Sequence, residues 1–292
     1  MKALLLSLLA LVAAGAAGSA GAEVTKCLGE TATIVGTPGD DTITATDKDD
    51  VIAGLGGNDT ITGGGGFDVI CGGDGNDSVT QSSGGFIGLA FVGGDAGDDS
   101  ITAADKNTLV ALDYEESPTP VNVNLATGTV TGLGTDTLVG INFVAGSAFD
   151  DVLAGSSKQD DLIGLAGNDT ISGDAGNDLI GTEGGDDIVD GGPGRDEVSF
   201  SDAPRGVHVS LGRGTATGDG SDRLHSIESL TGSKHADVLI GGSGPNTLSG
   251  GAGPDRLLGL AGPDHLYGGA GKDRADGGRG KDVCRAERRV RC

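Results

Sequence analysis

Aspartate is the residue type whose spacing in this 292-residue chain carries chemical consequence. Seventeen of them occupy the sixth place of a recurring nine-residue unit: Asp41, Asp50, Asp59, Asp68, Asp77, Asp99, Asp151, Asp160, Asp169, Asp178, Asp187, Asp196, Asp237, Asp255, Asp264, Asp273 and Asp282. Position 1 of the unit is glycine in nearly every copy and position 8 is apolar, as in GLGGNDTIT (54–62), GLAGNDTIS (164–172) and GGPGRDEVS (191–199). If such units stack, Asp59 comes near Asp77 and Asp169 near Asp187, where like charges repel strongly unless something positive lies between them. Carboxylates and the carbonyls of glycine-rich turns offer oxygen only. Oxygen donors in a flexible geometry suit calcium better than magnesium, which keeps waters and demands a strict octahedron.

The elements that position these carboxylates follow from the same period. A nine-residue repeat cannot bury a core alone and must stack on its neighbours. The first six residues of each unit read as turn and the last three as strand, with position 8 inward and positions 7 and 9 outward. Glycine, 58 of 292 residues, rules out stable helices after the N-terminal segment and does not follow the collagen period of three. With six Phe, two Tyr and no Trp, the core must be a narrow ladder of Ile, Val and Leu. The 43 acidic against 19 basic residues, a net charge of −24, argue against nucleic acid and anionic membranes as partners and in favour of cations.

Residues 1–22 read as a signal peptide, with Lys2, an apolar run to Ala17 and the small residues Ala20-Gly21-Ala22. No other apolar run is long enough for a transmembrane anchor, so a secreted, extracellular product is expected. The expected organisation is an N-terminal cap at 23–35, a first repeat block with a degenerate unit at 36–110, spacer strands at 111–145, a second block at 146–199, spacer strands at 200–231, a third block at 232–285 and a basic C-terminal cap at 286–292. Asn246 replaces the aspartate in one unit, and GFIGLAFVG (85–93) has lost it to Ala90. The two spacers repeat each other at an offset of 86 residues, each opening with strand-like alternation, Val121, Val123, Leu125 and Val207, Val209, Leu211. Each adds a further apolar pair, Leu138 with Ile141 and Leu224 with Ile227. They read as wider strands of the stack, since about 35 residues is too few for an independent core.

Four cysteines allow three pairings, and export makes disulfides plausible. Cys27 with Cys71 and Cys284 with Cys292 would each clamp one end and keep the protein monomeric; packed free thiols at Cys71 and Cys284 are the alternative. The lack of a CxxC pair and the scatter of the four histidines argue against zinc.

The pattern GGxGxDxUx in these residues is similar to the RTX (hemolysin-type) calcium-binding repeats. The signal peptide and the basic ending VCRAERRVRC make the chain resemble secreted actinobacterial calcium-binding repeat proteins more than a toxin. The resemblance implies an all-β parallel β-roll or β-helix solenoid in which two units make one turn and calcium lies between loops two units apart. It carries metal binding onto the seventeen aspartates named above and sets an upper bound of about 11 calcium ions. GSSKQDDLI (155–163) and ATDKDDVIA (45–53) lack several glycines, so weaker sites are expected there, and Ala275 thins the last turns. HExxH, GxSxG and P-loop sequences are missing, and paired carboxylates read as serial ligands, so no enzyme is expected. The expected role is a calcium-locked structural or surface-associated module. The alternative is a calcium-dependent adhesin-like binder of carbohydrate or a cell surface.

Overall fold

The structure, a computed structural model, describes residues 25–82, 88–93, 96–104 and 108–292. The signal segment read at 1–22 and part of the degenerate unit at 85–93 lie outside the described residues. Among the described residues every regular element is a strand and none is a helix. The chain divides into two compact units, Met1–Ser117 with Gly128–Phe143, and Pro118–Thr127 with Val144–Cys292.

In the first unit, alternate nine-residue repeats feed two parallel sheets. One contains Ile34–Val35, Val51–Gly56, Phe67–Asp74, Gly88–Gly93 and Thr108–Asp113. The other contains Thr42–Thr44, Thr60–Gly64, Ser78–Gln81 and Ser100–Ala103, followed by Thr135–Val139 with the antiparallel strand Thr129–Thr131 at its side. Two repeats therefore make a turn, so Ile43 faces Ile61 and Ile61 faces Val79 in one sheet while Ile52 faces Ile70 in the other. Ile70 is in register with Val92, 22 residues on rather than 18, so Gly88–Gly93 takes its place in the sheet. Strands here exceed the three residues expected. Phe67–Asp74 has eight, because the glycine turns also ladder, Leu55 with Gly73 and Gly56 with Asp74.

The second unit repeats this construction. Asp161–Ile163, Leu179–Gly181, Glu197–Ser199, Ser229–Thr231, Thr247–Ser249, His265–Tyr267 and Val283–Arg285 form one parallel sheet. In the facing sheet, Asn122–Asn124, Val152–Ser156, Thr170–Asp174, Ile188–Asp190 and Ser221–His225 follow one another in parallel. Here the spacer inserts an antiparallel ribbon, Thr215–Thr217 and His208–Ser210, before the sheet resumes at Val238–Ile240, Arg256–Leu258, Arg274–Asp276 and Arg288–Val290. The spacer alternation ends sooner than expected. Val121, Val123, Val207 and Val209 are buried, but Leu125 and Leu211 are only half-buried, because the backbone turns immediately after Asn124 and Ser210. Leu138, Ile141, Leu224 and Ile227 are buried as expected.

Position 8 points inward in the units whose side chains are described. Ile52, Ile61, Ile70, Leu153, Leu162, Ile171, Ile180, Leu239, Leu248, Leu257 and Leu266 are fully buried, and Ala275 and Cys284 occupy the same place near the C-terminus. Two such side chains per turn, stacked at the strand spacing of about 4.8 Å, leave no room for anything bulkier and supply the apolar burial that holds the turns together. Cys27 is bonded to Cys71 and Cys284 to Cys292, the two expected pairs. Because each inward side chain is packed by its neighbours above and below, Ile171→Ala is expected to cost about 2–4 kcal/mol in urea unfolding with calcium present; a loss below about 1 kcal/mol would contradict the ladder as the core.

Candidate metal centre

The turn pitch places each position-6 carboxylate against the backbone of the turn before it. Asp59 N–H donates to Asp77 Oδ1 at 2.7 Å, and Asp41 N–H to Asp59 Oδ1 at 2.8 Å. On the opposite edge of the same unit, Asp50 N–H donates to Asp68 Oδ1 at 3.0 Å. In the second unit one file runs through Asp151, Asp169 and Asp187, with 2.8 Å bonds, and the other through Asp160, Asp178 and Asp196, with 2.9 Å bonds. Further along, Asp237, Asp255 and Asp273 form one file and Asp264 and Asp282 belong to the other. The stacking of Asp59 with Asp77 and of Asp169 with Asp187 is thus as expected. A second ladder lies beside it at position 5 and runs the opposite way: Asn168 N–H donates to Asp150 Oδ1 at 2.7 Å and Asp186 N–H to Asn168 Oδ1 at 2.9 Å.

One oxygen of each carboxylate is therefore used by backbone, and position 2 of the repeat decides the fate of the other. Where position 2 is Ser or Thr, its N–H and hydroxyl both turn inward to the carboxylate. Thr37 and Thr46 do so for Asp41 and Asp50, Ser147 and Ser156 for Asp151 and Asp160, and Ser233 for Asp237. Where position 2 has positive φ, the N–H turns away. Leu55 (φ 85°), Leu165 (71°), Asp174 (61°), Glu183 (56°) and Leu260 (74°) take this conformation despite their side chains, as do Gly192, Gly251 and Gly269. The corresponding buried Oδ2 atoms of Asp59, Asp169, Asp178, Asp187, Asp264, Asp196, Asp255 and Asp273 receive no hydrogen bond. A leucine with positive φ is a strained arrangement. Its recurrence beside a bare carboxylate oxygen marks these loops as built for something other than self-satisfaction.

The surroundings of the bare oxygens are oxygen-rich and cation-poor. A Cβ on Gly250 would meet the Gly268 carbonyl oxygen at 2.5 Å as well as the Asp255 carboxylate, and on Gly259 the Gly277 carbonyl at 2.6 Å as well as Asp264. Only glycine leaves that approach open. The ion pairs His225–Asp190, Lys234–Asp202 and Arg291–Asp276 involve none of these carboxylates. Burial in this setting raises Asp169, Asp222 and Asp255 to about 7 and Asp68, Asp178 and Asp187 to about 6, with the neighbouring aspartates pushing Asp169, Asp178, Asp187, Asp222 and Asp255 in the same direction. Burial also raises Asp160, Asp196 and Asp264. Asn246 supplies the contrast. Its Oδ1 accepts from Gly242 N–H at 2.7 Å and its Nδ2 donates to the Glu228 carbonyl at 3.2 Å, so the neutral side chain is satisfied by protein alone.

These features fit a hard divalent cation. Among the described residues no three His, Cys, Asp or Glu side chains converge on one point, so any coordination shell must draw on backbone carbonyls as well as carboxylates. Of the seventeen aspartates, fourteen are buried, while Asp41, Asp50 and Asp282 are half-buried at the ends of the files. Asp68 is engaged by Gln81 Nε2 at 2.7 Å. The position-6 role also extends to residues outside the recognised units. Asp136 accepts from Asp99 N–H at 3.1 Å, Asp222 from Asp187 N–H at 3.3 Å, Glu228 from Asp196 N–H at 3.0 Å and Glu287 from Asp273 N–H at 2.8 Å. The signal for Asp136 and Asp222 was present in GLGTDTL (132–138) and GDGSDRL (218–224), which share the repeat's Gly-x-Gly-x-Asp-x-Leu core. Glu228 and Glu287 have no such signature.

A pH dependence follows for the calcium-free protein. A carboxyl raised to about 7 in the fold and near 4 when unfolded binds its proton more tightly in the folded state, so it stabilises the fold fully below the unfolded value. That contribution is lost as pH rises through the folded value. In calcium-free buffer the thermal midpoint is therefore expected to be higher at about pH 5.5 than at about pH 8; a midpoint that falls on acidification would contradict the bare-carboxylate reading.

The RTX calcium-binding nonapeptide repeat matches residues 35–70, 44–79, 136–170, 145–180, 163–198, 231–257 and 249–284, spans that together cover more than half of the chain. The match beginning at 136 takes in the spacer aspartate that carries the file from Asp99. No curated protein matches the chain. Repeats of this family, stacked two to a turn with their aspartates in file, make up the structure described above, and the chain belongs to the RTX calcium-binding nonapeptide repeat family.

Proposed function

We propose that this is a secreted, extracellular calcium-binding protein whose rolls are completed by calcium and which serves as a structural or surface-associated module. The observation that carries the reading is the series of buried carboxylate oxygens without a hydrogen-bond donor in consecutive turns. Such an oxygen costs about 1–3 kcal/mol, and more when charged, if nothing compensates it. Calcium, when bound, supplies the positive charge and accepts these oxygens together with loop carbonyls. The seventeen position-6 aspartates are the proposed ligands, but not equally. The loops closed by Thr37, Thr46, Ser147 and Ser233 turn their own donors to their carboxylates and have the weakest demand for metal, while the Ser156 loop still leaves Asp160 Oδ1 buried without a hydrogen bond. Demand is strongest at Asp59, Asp169, Asp178, Asp187, Asp196, Asp255, Asp264 and Asp273. The stoichiometry on this reading falls below the bound of about 11.

The protein's own residues prepare the site. The backbone N–H of the turn below fixes one oxygen of the aspartates within each file, positive φ at position 2 removes the competing N–H, and glycine at position 1 admits close approach of carboxylate and carbonyl. Extracellular calcium modules bind in the range of about 0.1–1 mM, so the rolls would be filled outside a cell and empty inside it. The paired cysteines support an oxidising destination.

Calcium titration followed by circular dichroism and by calorimetry tests the proposal directly. Ellipticity in the strand region is expected to rise and saturate near millimolar calcium; an unchanged spectrum up to about 10 mM would overturn it. Asp169→Asn should lower the number of ions bound while raising the thermal midpoint in calcium-free buffer, as Asn246 is satisfied without metal. If the variant binds as many ions as the parent, Asp169 is not a ligand.

A further inference from the structure

The last turns of the second unit carry charge of the opposite sign to the rest of the chain. Residues 251–292 hold nine of the 19 lysines and arginines against six carboxylates, in a protein of net charge −24. Three of these arginines stand in register on adjacent parallel strands, Arg256 facing Arg274 and Arg274 facing Arg288. All three are exposed. Like charges directly opposed across strands are destabilising, and none of the three takes part in the ion pairs seen among the described residues. The nearest carboxylate on their strands, Asp276, is held on both oxygens by Arg291, Nε to Oδ1 at 2.7 Å and Nη2 to Oδ2 at 2.5 Å. Beside the column lies a shallow cleft of about 250 Å³ whose lining includes Leu258, Leu260, Arg279 and Arg291.

We propose that this face binds a linear acidic glycan bearing a carboxylate on each sugar. The guanidinium fork matches a carboxylate in bidentate geometry. Three forks separated by one strand spacing, about 4.8 Å, call for several anions in a row rather than one, and a linked uronic-acid chain carries one on each residue. Leu258 and Leu260, the latter 47% exposed, offer an apolar floor for the C–H face of a sugar ring. Duplex nucleic acid fits less well. Its charge density of about one per 1.7 Å would set a long polyanion against the acidic turns beyond the column. A short, sparsely charged segment meets only the arginines.

The inference is independent of the calcium sites, and circular dichroism of each sample separates loss of fold from loss of binding. Fluorescence anisotropy of a labelled short oligogalacturonide, titrated with the full chain at low salt in calcium, is the experiment. Binding should weaken as salt rises and fall about tenfold or more in the folded Arg256→Gln, Arg274→Gln, Arg288→Gln triple variant, while Arg223→Gln leaves it unchanged. The proposal is overturned if the folded parent does not bind, if the triple variant binds as well as the parent, or if a neutral oligosaccharide is bound equally. Tighter capture of a single-stranded oligonucleotide of equal charge would likewise overturn it and assign the face to nucleic acid.

Discussion

A buried carboxylate with one oxygen bonded to backbone and the other left bare is the arrangement from which the rest of this structure takes its meaning. The bond from each Asp N–H to the carboxylate two repeats later locks the turns in register. That register stacks position 8 into an apolar ladder. The same register brings negative charge to within a turn of negative charge along both edges, so the interaction that aligns the turns also opposes their closure. Calcium sites in a stack of this kind are part of its folding free energy rather than an addition to a finished scaffold.

The loops differ in how they meet this problem. The serine and threonine loops at Thr37, Thr46, Ser147, Ser156 and Ser233 open their repeat blocks, and each turns a hydroxyl and an N–H to its carboxylate, although Asp160 keeps a bare buried Oδ1. Later loops exchange these donors for positive φ and expose the oxygen. Each block thus begins with turns that supply donors of their own and continues with turns that leave an oxygen bare. In a nearest-neighbour stack, such an order lets folding start from self-sufficient turns and propagate into those that depend on metal. The disulfides Cys27–Cys71 and Cys284–Cys292 each tie a local segment and work in the same direction.

The second spacer departs from the pitch without leaving the sheet. Its ribbon, His208–Ser210 with Thr215–Thr217, adds two strands to one sheet of the second unit, while the facing sheet steps directly from Ser229–Thr231 to Thr247–Ser249. The aspartate file survives this interruption because Asp222 and Glu228 take over as acceptors. Asp222 keeps the repeat's own signature, whereas Glu228 answers the donor left by the preceding turn without one.

Sequence by itself determined what depends on local spacing: the all-β class, the inward place of Ile, Val and Leu at position 8, the glycine turns and an array of aspartates suited to calcium. These were legible because strand alternation and the nine-residue period act within a few residues of chain. Tertiary structure decided what depends on register. That Asp59 meets Asp77 through N–H and Oδ1, that Glu228 and Glu287 stand in for aspartates, and that Leu125 and Leu211 leave the core are consequences of which turn lies above which. The split between self-satisfied and bare carboxylates was hidden for a related reason. It rests on φ at position 2, where Ser147 closes its loop and Leu165 opens it, and side-chain type alone does not reveal that a leucine will accept a strained backbone. The arginine column was hidden too, since Arg256, Arg274 and Arg288 lie 18 and 14 residues apart and become neighbours only when the chain has wound back on itself.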